Sequence, residues 1–394
     1  TMGRCRSMWN KLVDAQEHPK KKNLVRRIVV FVVIVAAVCS AVGLILFQES
    51  LNFDALRRWF KYFNIRDDGD YGIYSFDSHN SNRYGAAGSG LAVASVGGLI
   101  YYQDNGAERF SMQSQLELPQ LITRGKYMLA YDVGGTKLLL ANTSGSLLEL
   151  SSDKAVLDAD LSSSGAFCYS SSSSGYKSVL TVYNSRQELA YRWLSSTTYL
   201  PVCAISEKGT MLAAVGLGAT GGAYESSVSF FRTDANEIQN TVSLGNELIY
   251  DLDFLNNDTV IAVGEHTVQI VKSDGTVVGQ YAYEEPYLKT YRLEGDGFLA
   301  LVVNMYKAGN RNSLITVDDS GEEIASLYLG KEVLDISASG NYLAVLTPDA
   351  LTIYTSSLHV YAETVDIGSA TSVLMREDGS AVLIGGGAGK LYLP

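Results

Sequence analysis

From Tyr71 to Pro394, apolar and polar residues alternate in short runs, each ending in a cluster of Gly, Asn, Asp or Ser. A period of two over so few residues predicts half-buried β-strands joined by tight turns, and helical periodicity almost disappears here. One phrase recurs, an apolar strand, a polar turn and a second strand: "GLIYYQDNGAERF", "KLLLANTSGSLLEL", "VLTVYNSRQELAYRW", "VSFFRTDANEIQNTV", "VQIVKSDGTVVGQY", "LITVDDSGEEIASLYL" and "LTIYTSSLHVYAETV", with a truncated "GKLYLP". With Tyr102, Ala141, Tyr183, Phe231, Val271, Val317, Tyr354 and Tyr392 as equivalents, the spacings are 39, 42, 48, 40, 46, 37 and 38 residues. Periods of about 40 to 50 residues with several strands each mark a β-propeller.

The first half of each repeat agrees. "VLDADLSSSGAFCYS", "PVCAISEKGTMLAAVG", "IYDLDFLNNDTVIAVG", "VLDISASGNYLAVLT" and "SVLMREDGSAVLIGG" each read as strand, turn, strand. A blade therefore has four strands, a to d from the centre outward, and the recurring phrase is its c and d hairpin. The eighth repeat stops at Pro394 after its c strand, and "YGIYSFD", residues 71 to 77, is placed to supply the missing outer strand. Such closure removes two open sheet edges. The expected fold is all-β, an eight-bladed propeller over 71–394, with seven blades as the alternative if one irregular repeat is an insertion.

The amino-terminal segment follows other rules. "IVVFVVIVAAVCSAVGLILF", Ile28 to Phe47, is twenty residues without a charge, and at ~1.5 Å per residue a helix of that length crosses a hydrocarbon layer of about 30 Å. We read a single transmembrane helix over 28–47. A cleavable signal peptide is the rival reading, but the run exceeds the usual h-region of about 7 to 15 residues and lacks a convincing small-x-small site followed by polar mature sequence. Residues 1–27 form a basic tail, and positive flanks stay cytoplasmic, which puts the carboxyl-terminal bulk outside the cell membrane. Residues 48–68 read as an amphipathic juxtamembrane linker, with Arg57, Arg58, Trp59 and Lys61 at the outer interface.

Charge sharpens this division. Residues 1–27 carry +6 and the remainder −17, so the main domain repels nucleic acid and anionic headgroups. Cys5 and Cys39 fall in the tail and span. Cys168 and Cys203 can pair only if neighbouring strands bring them together, and each sits in an apolar strand pattern that reads as a buried free thiol.

Candidate chemistry is sparse. "DVGGTK", residues 132 to 137, resembles the phosphate-binding hairpin of the sugar-kinase and actin superfamily. Yet it falls at the b-to-c connection of the second repeat, where the first has another Gly-Gly turn, "SVGGLI", and the superfamily's second phosphate loop and flanking helices are missing. "GGGAGKLYL" lacks P-loop spacing and a following helix. "VDDSGEE", with four carboxylates, lacks the alternating ligands of a calcium loop. His79, His266 and His359 are scattered, so no metal centre is expected. Asp160, Asp253 and Asp335 occupy similar places on inner strands and are read as structural ties rather than ligands. No cofactor and no catalytic constellation is assigned.

The amino-terminal anchor followed by a Trp-poor propeller, with Trp193 as the propeller's tryptophan, resembles the membrane-anchored WD-repeat-like or quinoprotein-like propellers of Gram-positive, clostridial-type bacteria, a family of uncharacterised function. The chain departs from true WD repeats in lacking Gly-His and Trp-Asp dipeptides. What the resemblance implies is an envelope scaffold or sensor. Partner contact is expected at long b-to-c connections: "YSSSSSGYKS", "GLGATGGAYESS" and "NMYKAGNRNS", on blades three, four and six. Their candidate residues are Tyr176, Lys177, Tyr224, Glu225, Tyr306, Lys307 and Arg311. Two functional readings stand: a non-catalytic, membrane-tethered scaffold or sensor with a protein partner, and a surface propeller that binds or processes polysaccharide.

Overall fold

The computed structural model describes residues 72–394 except 236, 285 and 286, together with residues 30, 31, 35 and 58. The chain divides into two compact units, Thr1–Lys61 and Tyr62–Pro394. The transmembrane reading over 28–47 lies almost wholly outside the described residues, as do Arg57, Trp59 and Lys61 of the proposed interface. No helix among the described residues is long and apolar enough to cross a membrane.

The second unit is eight antiparallel four-stranded sheets. In chain order the blades run over residues 83–113, 119–151, 156–195, 199–245, 249–282, 287–328, 335–364 and 372–392. The last blade takes its outer strand from the start of the propeller: Gly72–Ser75 pairs antiparallel with Ala388–Tyr392. The eight-blade expectation and the closing strand are both borne out.

Among the described residues the core is distributed as eight apolar clusters, one at each interface between neighbouring blades. Met128, Ala130 and Leu139 of blade 2 pack against Ala92 and Leu99 of blade 1. Tyr74, Val382 and Ile384 of blade 8 pack against Leu91 and Val93 of blade 1, which closes the ring. Most b and c strands are largely buried, as in Phe298–Asn304, where all seven residues are buried, whereas the last c strand, Ala388–Tyr392, is mostly half-buried. Burial of successive residues explains why most of these strands read as continuous apolar runs and the outer strands as alternating ones.

The repeat anchors mark a physical feature. The c-to-d pairing shifts register at Tyr101/Tyr102, Leu140/Ala141, Val182/Tyr183, Phe230/Phe231, Ile270/Val271, Thr316/Val317 and Ile353/Tyr354. A bulge there adds one residue to the outer strand and increases its twist, which fans each blade outward. The sequence equivalence thus follows a recurring bulge.

Strand direction sorts the connections. The b-to-c connections and the links between blades open at one end of the ring, and the a-to-b and c-to-d turns open at the other. The blade 4 connection expected as a loop is a protruding hairpin, because Met211–Thr220 and Ala223–Arg232 stay paired down to a two-residue Gly221–Gly222 turn. The blade 3 and blade 6 connections, residues 172–177 and 305–311, are loops as expected.

Candidate functional site

The glycine turn in "DVGGTK" is occupied by its own fold. Asp132 is buried, and its Oδ1 accepts the N–H of Glu117 at 2.9 Å and of Leu118 at 2.7 Å, which fixes the link into blade 2. Gly134 sits at φ +80°, where a side chain is strained, and a Cβ on Gly135 would lie 2.0 Å from Asp132 Oδ2. The Gly134 N–H donates to the carbonyl of Val156 and the Gly135 N–H to that of Asp132. These amides are spent on the structure, so the turn offers no phosphate cradle. "VDDSGEE" is likewise a self-capped turn, with Asp318 Oδ1 accepting from Ser320 N at 2.8 Å and from Glu322 N at 3.0 Å.

Inner-strand carboxylates stitch adjacent blades. Asp158 Oδ2 accepts the Cys203 N–H and Asp160 Oδ2 the Ile205 N–H, both at 2.8 Å, from blade 3 to blade 4. From blade 7 to blade 8, Asp335 Oδ2 accepts the Val373 N–H at 3.0 Å and Ser337 Oγ the Met375 N–H at 2.9 Å. These bonds correct the sequence alignment by two residues: Asp335 corresponds to Asp158, and Ser337 to Asp160. The ties run to the next inner strand.

Charged side chains also meet across the middle of the ring. Arg124, the last residue of blade 2's inner strand, meets Asp253 of blade 5 at 2.6 Å, and Arg292 of blade 6 meets Asp335 at 2.9 Å. Tyr131 donates its hydroxyl to Asp158 Oδ1 at 3.0 Å, and Tyr291 hydrogen-bonds Asp251. Burial lifts the Asp158 carboxyl to about 6. Burial, aided by the charge of Asp253, lifts Asp160 to about 7. Burial, aided by Asp158, lifts Asp251 to about 8. Sequence reading missed Arg124, Asp158, Asp251 and Arg292, although "D-x-D" at alternate strand positions was a visible signal for the carboxylates. Among the described residues no group of three or more His, Cys, Asp and Glu is placed to hold a metal ion.

The connection end of the ring has a different character. Among the described residues, the exposed tyrosines are Tyr176, Tyr199, Tyr224, Tyr250, Tyr287, Tyr306 and Tyr328, between 41% and 64% accessible. All belong to b-to-c connections, to the starts of inner strands or to the end of an outer strand, so all face this one end. The turns at the other end are Ser-, Asp-, Asn- and Gly-rich. Lys177 lies 5.0 Å above the ring of Tyr199, and the Arg311 guanidinium 5.8 Å from that of Tyr306. Glu225 accepts from Ser243 Oγ at 3.3 Å, and the Lys307 carbonyl accepts from Lys289 Nζ at 2.6 Å. The seven residues expected from sequence therefore share an end but stand on three separate blades. Tyr199, Tyr250 and Tyr287, which fill the rim between them, were missed because their strands read as interior.

Residues 71–369 match a family described as a family of unknown function, DUF5711. No curated protein matches the chain. Among solved structures, the C-terminal WD40 domain of Sif2 is similar at 11% identity and a TM-score of 0.59, covering 82% of this chain and 98% of that one. U3-55K matches at 12% identity and a TM-score of 0.45, covering 67% and 85% of the two chains. Hsv2 of Kluyveromyces lactis matches at 12% and 0.47, covering 72% and 99%. The likeness to Sif2 is one of fold: a WD40-like propeller.

Proposed function

The chain belongs to the DUF5711 family, and we propose that it is a non-catalytic interaction module, tethered to the cell membrane through residues 28–47 with its propeller outside. The partner is a protein in or at the membrane, and it docks on the tyrosine-rimmed end of the ring. The observation that carries this reading is the segregation of exposed tyrosines to one end. Tyrosine supplies a large amphipathic contact at low entropic cost and is enriched, with arginine, among residues that dominate binding energy. WD40-like propellers commonly mediate protein interactions, which agrees with this choice.

The tether rests on the uncharged run and its basic flank. The test is affinity purification of the full-length protein in mild detergent from its own membranes, beside a variant whose 304–312 segment is replaced by Gly and Ser. A stoichiometric partner that the variant loses supports the reading. Recovery of the protein alone, with retention on cell-wall polysaccharide, replaces it with the glycan reading.

A further inference from the structure

Cys168 lies on the second strand of blade 3, Phe167–Ser171, and Cys203 on the inner strand of blade 4, Tyr199–Ile205. The two belong to one apolar cluster between the blades, and their Sγ atoms stand 3.8 Å apart. Both thiols are free and fully enclosed, at 0% and 2% accessibility. We propose that this pair is an oxidation site, forming a disulfide that latches blade 3 to blade 4 when the chain folds in the presence of a disulfide oxidant.

The geometry favours this pairing. A disulfide needs its sulfurs at about 2.05 Å, so the gap closes by less than 2 Å, shared between two side chains. The strand that carries Cys203 pairs in regular register with its neighbour from Val202 to Ile205, and the register slips only before it, between Tyr199 and Val202. Its hold on blade 3 is the Asp158 carboxylate, which already accepts the Cys203 N–H at 2.8 Å. The bond would close a loop of 35 residues across an interface that otherwise rests on packing and hydrogen bonds.

The chemistry is thiol–disulfide exchange. One cysteine thiolate attacks an oxidising organic disulfide, giving a mixed disulfide and one released thiol. The second thiolate then attacks the protein sulfur of that mixed disulfide and releases the other thiol. Two protein thiols lose two electrons and two protons, and the oxidant becomes two thiols. Burial pushes the Cys168 thiol up, and its contact with Cys168 together with burial pushes Cys203 up further. The native pair is therefore a poor nucleophile and inaccessible, so oxidation belongs to folding, before blades 3 and 4 close.

The test is refolding of the denatured full chain in detergent with a glutathione redox couple, followed by alkylation under denaturing conditions and peptide mass analysis. The expected result is a linked peptide joining Cys168 to Cys203, with Cys5 and Cys39 still alkylated, and a Tm raised by roughly 5 °C over the reduced chain. Cys168→Ala and Cys203→Ala each abolish the linked peptide, and far-ultraviolet circular dichroism reports that each still folds. Full alkylation of both cysteines in a chain that has refolded overturns the proposal. Because the oxidant is supplied, that failure leaves the proposed membrane topology standing.

Discussion

Arg124 and Asp253 lie 129 residues apart in sequence and meet at 2.6 Å with blades 3 and 4 between their own. Their side chains keep 29% and 21% exposure, so solvent screens the pair in part. It still neutralises a region where Asp160 and Glu294 add negative charge beside the guanidinium.

Arg124→Ala should therefore cost about 1 to 2 kcal/mol, more than an exposed pair and less than a fully buried one. The loss should be larger at pH 8 than at pH 5, since the neighbouring Asp160, which titrates at about 7, is charged only at the higher pH. Denaturant unfolding of the variant at the two pH values checks this.

The buried carboxyls fix the sign of the pH response. Asp158, Asp160 and Asp251 titrate at about 6, 7 and 8 in the folded chain, against about 3.9 unfolded. The native state then binds more protons between about pH 4 and pH 8. Stability that these groups contribute is full below about pH 4 and is lost as pH rises through 6 to 8. Tm should fall from pH 5 to pH 8, and Asp251→Asn should flatten the slope and stabilise the protein at pH 8. A Tm that climbs over this range in the native chain contradicts the assignment.

The closing strand can be removed outright. Tyr74 is 1% exposed, accepts a hydrogen bond from Arg376 at 2.8 Å and packs edge-on against Tyr102 at 6.2 Å. A chain that starts at about residue 82 loses all of this and bares an edge of blade 8, so it should aggregate where one starting at 68 stays monomeric. Light scattering with thermal unfolding separates them, and equal behaviour would remove the strand from the closure. The milder Tyr74→Ala should cost about 3 to 5 kcal/mol.

Asp132→Ala removes the acceptor for two backbone N–H groups, at a cost of about 2 kcal/mol. Because the neighbouring glycine amides are occupied, magnesium ATP should not shift Tm in either the native chain or the variant. A nucleotide-dependent rise in Tm, lost in the variant, would restore the phosphate-site reading.

Strand order, blade number and the closing strand were legible because each is written locally. The b and c strands are mostly apolar runs, their outer hairpins repeat the same turn chemistry, and residues 71–77 read as a further strand ahead of the first repeat. The charged cluster on the inner strands was not legible in this way. Arg124 and Asp253 become neighbours only when the ring closes, and no periodicity couples residues on blades 2 and 5. Asp158 escaped notice beside Asp160 because the inner strand is irregular, with a register shift between Val156 and Asp158. The contact face was half legible: Tyr176, Tyr224 and Tyr306 stand in conspicuous connections, whereas Tyr199 and Tyr287 open strands whose remaining residues are largely buried or half-buried.

Pairing of residues 72–75 with residues 388–392 also sets a schedule. During synthesis the strand made early must wait for the one made at the far end, an interval of about fifteen seconds to a minute at roughly 5 to 20 residues per second. Through that interval the nascent blades have an unpaired lateral edge and no ring to protect it. Encounters between two growing chains are then most dangerous, and a chaperone that holds the early segment apart would act within this window.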